Sequence, residues 1–230
     1  MTFRRWLVLA FWMLGCSRTP PISKEYPAEM SALAKDGGAG QPFLVGKDLR
    51  PVWDLSLPDT PAPRTLGDFK LTDQMGREVR LEDLKNKIAI VSFFFSKCPG
   101  ICPLTTKNLR AVQEEFKEED RVVMLSFSIT PETDTPETLQ KYGRTNKIDP
   151  KKWHLLTGDR KKIYELARKS FDVDTFSFRE NEIAKLTQAD FLHSENVYLI
   201  DPKLRLRGIY AGRQPSSLSQ LTHDAKSLLK

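Results

Sequence analysis

The chain has 230 residues, 40% of them hydrophobic and 29% charged, which excludes a disordered or membrane-embedded chain and leaves room for one globular domain of ordinary size. The net charge is +6, but the basic residues fall in separate short clusters at Lys151-Lys152, Arg160-Lys161-Lys162 and Arg205–Arg207. Such scatter reads as a solvated surface, with weak attraction to anionic lipid or an acidic partner second, and argues against a nucleic-acid partner, whose binder gathers its charge on one face or tail.

In chain order, Arg4-Arg5 precede the apolar run Trp6–Leu14, then Gly15 and Cys16. A basic start and a short apolar stretch predict an export signal over residues 1–15, too short to span a bilayer as a stable helix. The Met13-Leu14-Gly15-Cys16 ending resembles a bacterial lipobox, with Met13 where Leu is usual and Cys16 as the lipidated residue. The expected product is an exported lipoprotein, anchored to the membrane through Cys16 and facing the periplasm or cell exterior; an uncleaved signal anchor is the alternative. Residues 16–65 are rich in Pro, Gly and Ala and read as a tether, with Leu49–Leu57 and Trp53 a candidate arm against the domain.

The globular part is expected from Leu66 to the end. Phe69–Gln74, a turn at Gly76 and Glu78–Leu81 predict a hairpin. Ile88–Phe95 and Val122–Ile129 are apolar nearly throughout, as strands buried on both faces are. Helices are predicted over Pro103–Glu118, from Thr135-Pro136 with Thr as cap, over Lys161–Phe171 and over Ser216–Leu229. Trp153–Leu156 reads as a short strand, and Val197–Ile200 with Leu206–Tyr210 as a hairpin. Strands alternating with helices imply an α/β fold with parallel strand pairs.

The chemistry centres on Cys98-Pro99-Gly100-Ile101-Cys102-Pro103, directly after the first buried strand. In an α/β sheet, ligands gather at the carboxyl ends of strands. In a helix the two cysteines share one face with Cα atoms roughly 6 Å apart, near enough for a disulfide or a shared metal. A helix N-terminus would also favour the thiolate at neutral pH. Of three cysteines, lipid on Cys16 leaves Cys98 and Cys102 as a pair. Two thiolates favour soft ions such as Cu(I), or Zn(II). Of three histidines, His154 falls on a strand beside Trp153 and His223 on the last helix, and both read as structural or surface residues. His193, just before the Val197–Ile200 strand, is by position either a third ligand or an incidental loop histidine.

Three ordered motifs resemble the Sco/SenC family: Phe94-Phe95-Ser96-Lys97-Cys98-Pro99-x-Ile101-Cys102-Pro103, Ser126-Phe127-Ser128-Ile129-x-Pro131-Glu132-x-Asp134-Thr135-Pro136, and His193-Ser194-x-x-x-Tyr198-Leu199-Ile200-Asp201-Pro202. Phe69-x-Leu71-x-Asp73-Gln74-x-Gly76 also fits. The resemblance runs from about Leu66 to the end and implies a thioredoxin-like fold, a central mixed sheet flanked by helices. It implies copper, Cu(I) or Cu(II), held by Cys98, Cys102 and His193, and delivery of copper to the copper A site of a cytochrome c oxidase subunit, or reduction of that site's thiols. Other copper chaperones or thiol reductants are further implied partners. The expected protein is thus a metallochaperone rather than an enzyme. Gly100, Thr130 and Leu192 stand where the family commonly has acids, which bears on copper affinity, redox potential and docking to the usual partner rather than on the ligand set.

An exported thiol–disulfide oxidoreductase using Cys98 and Cys102 competes with this reading. Thioredoxin-type enzymes usually space the pair by two residues and place a Pro opposite it; here the spacing is three and no Pro occurs from Gln188 to Leu199. A peroxidase would need a Thr/Pro-rich pocket that Phe93–Lys97 does not supply, and structural zinc would need a fourth ligand. Copper and redox roles are compatible, since thiols that cycle to a disulfide can release copper.

Overall fold

A computed structural model describes residues 40–98, 101–173 and 195–230. The predicted elements are present with ends shifted by a few residues. Strands β1 (Phe43–Val45) and β2 (Arg50–Val52) come first, then β3 (Lys70–Asp73), β4 (Glu78–Arg80) and a 3-10 turn at Leu81–Leu84. β5 (Ile88–Phe94), α1 (Ile101–Glu115), β6 (Val122–Ser128), α2 (Pro136–Thr145), β7 (Trp153–Thr157) and α3 (Arg160–Phe171) alternate through the middle. β8 (Asn196–Ile200), β9 (Leu206–Ala211) and α4 (Pro215–Ser227) close the chain.

Seven strands form one mixed sheet in the order β4-β3-β7-β6-β5-β8-β9. β5, β6 and β7 run parallel, whereas β3 and β8 pair antiparallel at the flanks of that trio. Every residue of β5 and β6 is buried, as their apolar runs require. The α/β class and the central mixed sheet expected from the sequence are therefore what the chain forms.

Packed structure reaches further back than the Leu66 boundary expected from the sequence. β1 and β2 form an antiparallel hairpin, β1 lies against β9, and Leu44, Val45 and Leu49 are buried. Arg205 and Arg207 stack on the Phe43 ring at 4.5 and 4.0 Å from its centroid, within cation–π range. Arg207 also donates to the carbonyls of Gln41 and Pro42 and pairs with Asp201. Two basic clusters read as solvated surface are thus partly structural: Arg207 is buried, and so is Lys152, whose Nζ donates to the carbonyls of Glu119 and Val122. The backbone carbonyls they reach lie 30 to 166 residues away, so local composition gives no sign of them.

The Asp73-Gln74-x-Gly76 motif builds the β3–β4 corner. Asp73, fully buried, accepts from the amides of Met75 and Arg77, from Arg77 Nε and from His154 Nδ1 at 3.1 Å. Gln74 continues the pairing to β7 through its side chain, donating to Trp153 O and accepting from Leu155 N–H. Gly76 supplies the left-handed turn residue at φ 75°. His154 is a structural histidine, as its position suggested.

Burial pushes the His154 imidazole below its ordinary value of 6.5, although the Asp73 carboxylate opposes this. The unfolded chain therefore binds the proton more readily, and stability should fall as pH drops below about 6.5. Burial raises the Asp73 carboxyl, but its hydrogen bonds with Arg77, His154 and the backbone win and hold it below 3.8, so its contribution is lost only at lower pH. Urea unfolding from pH 7.5 to 5 should show the first decline, and His154→Gln should flatten it. An unchanged slope in the variant would contradict this assignment.

Candidate metal centre

β5 ends at Phe94, and the chain turns through Phe95–Lys97 to Cys98, whose N–H donates to Phe95 O. Cys102 sits in the first turn of α1. The two cysteines are not joined in a disulfide, and Cys98 lies close enough to act on the Cys102 thiol. Cys98 is half-buried, packed against the core, and Cys102 is buried. Cys98 precedes the described start of α1 rather than sharing the helix with Cys102.

Burial, reinforced by the neighbouring Cys98, pushes the Cys102 thiol up to about 12. The expectation that the helix terminus makes both thiolates available at neutral pH therefore fails for Cys102, because the desolvation of a thiolate at this depth outweighs the terminus. Beneath Cys102 lies a cavity of about 10 Å³, lined by Ser92, Thr105, Thr106, Ser126 and Tyr142 among others. It has room for a water at most, so no organic substrate fits behind the pair. Its floor is tied together by Ser92 Oγ to Ser126 Oγ at 2.7 Å, Trp153 Nε1 to Ser126 Oγ at 2.8 Å, and Thr106 Oγ1 to Tyr142 OH at 2.8 Å. These serines, in the middle of two apolar strands, carry no sequence signal of their role.

Two connections fix the surroundings of the pair. The buried Asp134 carboxylate accepts from both the amide and the hydroxyl of Ser96, and from Ser128 and Thr130. Asn108 of α1 donates to the carbonyls of Gly212 and Arg213, and Gly212 N–H donates to Glu195 O just before β8. A side chain at position 212 would meet Glu195 O at 2.6 Å and Thr105 Cγ2 at 2.7 Å, so only glycine permits this approach. Sequence reasoning singled out neither Ser96 nor Gly212; only the tertiary contacts identify them.

Cys16, His193, Gly100 and Leu192 lie outside the described residues. Thr130, at one of the three positions where the family commonly has an acid, is buried within the Asp134 network. His223 is exposed on α4, and His154 is bonded to Asp73. Among the described residues, no group of three or more His, Cys, Asp or Glu side chains could hold a metal. The donor set the structure brings together is thus two adjacent sulfurs, which suits a soft cation.

The sequence profile of the SCO1/SenC family matches residues 58–230. The chain belongs to the SCO1/SenC family. A SCO1/SenC family lipoprotein from Bacillus anthracis is 30% identical, with a TM-score of 0.62 over 73% of this chain and 96% of that one. BsSco, a member of the Sco family of cytochrome c oxidase assembly proteins in which a disulfide switch was identified, is 29% identical, with a TM-score of 0.59 over 73% of this chain and 95% of its own. Arabidopsis thaliana ScoI, solved with copper bound, is 28% identical, with a TM-score of 0.55 over 70% and 97%. The fold is thioredoxin-like, as these relatives are.

The difference in burial gives the two sulfurs unequal reactivity. With the partner cysteine replaced by Ala, Cys98 should be alkylated by iodoacetamide at pH 8 about tenfold faster than Cys102, or more. Equal rates would contradict the buried placement of Cys102.

Proposed function

We propose that this protein is a membrane-tethered copper carrier that binds copper through Cys98, Cys102 and His193 and serves assembly of the copper A site of cytochrome c oxidase. The observation that carries the reading is the pair of neighbouring cysteines, not joined in a disulfide, at the carboxyl end of β5 in a SCO1/SenC chain. Copper bound in Arabidopsis ScoI, and the oxidase-assembly role of the family to which BsSco belongs, support the metal and the partner.

His193 is three residues before Asn196, where β8 begins. β8 pairs antiparallel with β5, Val197 opposite Ser92, so it starts at the end of β5 from which the cysteines hang. Three residues of chain reach at most about 11 Å, and this short link from His193 to the start of β8 supports it as the third ligand. Two thiolates and a neutral imidazole give Cu(I) a site of net charge −1 and Cu(II) a neutral one. When bound, copper would supply one-electron chemistry and a transferable ion. The chain's own residues supply the rest: half-buried Cys98 is the sulfur a partner reaches, buried Cys102 anchors from within, and the packed floor leaves room for a water at most.

The anchor belongs to the same reading. Residues 1–15 form the export signal, Cys16 carries lipid, and the chain from Cys16 tethers the domain that ends at Lys230. The described residues contain no helix long and apolar enough to cross a membrane. The mass of the mature N-terminus tests the lipid; an unmodified Cys16 in an uncleaved chain would overturn it.

The full chain should bind one copper, and Cys98→Ala or Cys102→Ala should abolish tight Cu(I) binding. His193→Ala should keep Cu(I), because two thiolates can hold it nearly linearly, but lose most of the thiolate-to-Cu(II) charge-transfer absorption. His154→Ala and His223→Ala should change neither. Full stoichiometry in either cysteine variant sinks the site. Normal oxidase assembly in cells carrying His193→Ala would favour the second reading, a thiol–disulfide oxidoreductase, for which the nearness of the two cysteines is the supporting observation.

A further inference from the structure

The geometry points to Asp134 as a positioning residue that holds the Cys98 loop against its partner cysteine. Asp134 ends the β6–α2 connection and is fully buried. A carboxylate only accepts hydrogen bonds, and a buried one needs its lone pairs filled. Here four donors fill them. Ser96 gives its hydroxyl to Oδ1 at 2.5 Å and its amide to Oδ2 at 3.2 Å. Ser128 Oγ donates to Oδ2 at 2.6 Å and Thr130 Oγ1 to the same oxygen at 3.2 Å. Its hydrogen-bond donors are thus hydroxyls and one amide, with no arginine or lysine among them.

A buried charge without a counterion is costly, and stability alone gives little reason to keep one. Its placement supplies a reason. Two of its four bonds go to Ser96, two residues before Cys98, and the other two go to the end of β6 and the residue beyond Ile129. The β5–α1 loop is thereby pinned to the β6–α2 loop, beside the backbone bond from Ile129 N–H to Phe94 O. Asp134 thus fixes where the loop that leads to Cys98 stands.

The consequence is readable in the thiol–disulfide equilibrium. Oxidation joins Cys98 Sγ to Cys102 Sγ and releases two protons and two electrons, which reduce one glutathione disulfide to two glutathione thiols. Loosening the loop lowers the effective concentration of one thiol at the other, which pushes toward the dithiol.

This role rests on Cys98 and Cys102 being the working pair. The measurement uses no copper, so failure of the copper reading and failure of this one are separate results. The full chain carrying Cys16→Ser, so that only the pair is oxidisable, is equilibrated in glutathione buffers at pH 7. Asp134→Asn should lower the equilibrium constant for disulfide formation about tenfold, a rise of ~30 mV in potential. Ser96→Ala, which keeps the charge, should lower it severalfold. Thr135→Ala removes the cap of α2 beside Asp134 without touching Ser96, and should lower stability while leaving the constant within about twofold of the parent. If Asp134→Asn and Ser96→Ala lose stability yet keep the parent constant, Asp134 is only structural and the assignment is wrong. If Asp134→Asn does not fold, the Ser96→Ala constant decides alone.

Discussion

The pairing of β5 along both its edges is the constraint on which everything else depends. Ile88–Phe94 matches Val122–Ser128 residue for residue on one side, and Ala89–Ser92 pair with β8 on the other. With every side chain of β5 and β6 buried, a one-residue slip would exchange the faces of the whole strand, so the register is strongly fixed. The position at which β5 ends is therefore set to within a residue, and Cys98 follows four residues later. The same register brings the end of β6 and the start of β8 to the mouth of the site.

From that fixed point the chemistry divides between the two sulfurs. Cys102 is buried, where desolvation raises its thiol pKa, whereas Cys98 is half-buried. A metal cation overcomes the desolvation of a buried thiolate by direct ligation, and a neighbouring sulfur does so by forming a disulfide. A proton alone leaves the buried sulfur inert. The cavity of about 10 Å³ beneath Cys102 leaves no place for an organic molecule behind it.

Much of this was legible in the sequence because the central strands are written in unbroken apolar runs and the Cys pair follows one of them directly. His154 could be set aside from its place on β7, and its bond to Asp73 gives the physical reason. Other features were hidden because their partners are distant. Asp134 stands in the second family motif, but only its four donors show that it is a buried acceptor tied to the cysteine loop. Phe43–Val45 lies between Pro42 and Gly46, too short for a periodic signal, and its burial depends on two arginines more than 160 positions away, the separations along the chain being 165 and 166 for the bonds from Arg207. Gly212 gives no hint in sequence that two other segments close upon it.

The central claim is that two sulfurs and one imidazole hold copper at the end of β5. X-ray absorption at the copper edge of the reduced, copper-loaded full chain, compared with its His193→Ala variant, tests it most directly. Two sulfur and one nitrogen scatterers in the parent, with the nitrogen lost in the variant, is the result expected. A first shell without sulfur, or one unchanged in the variant, would contradict it.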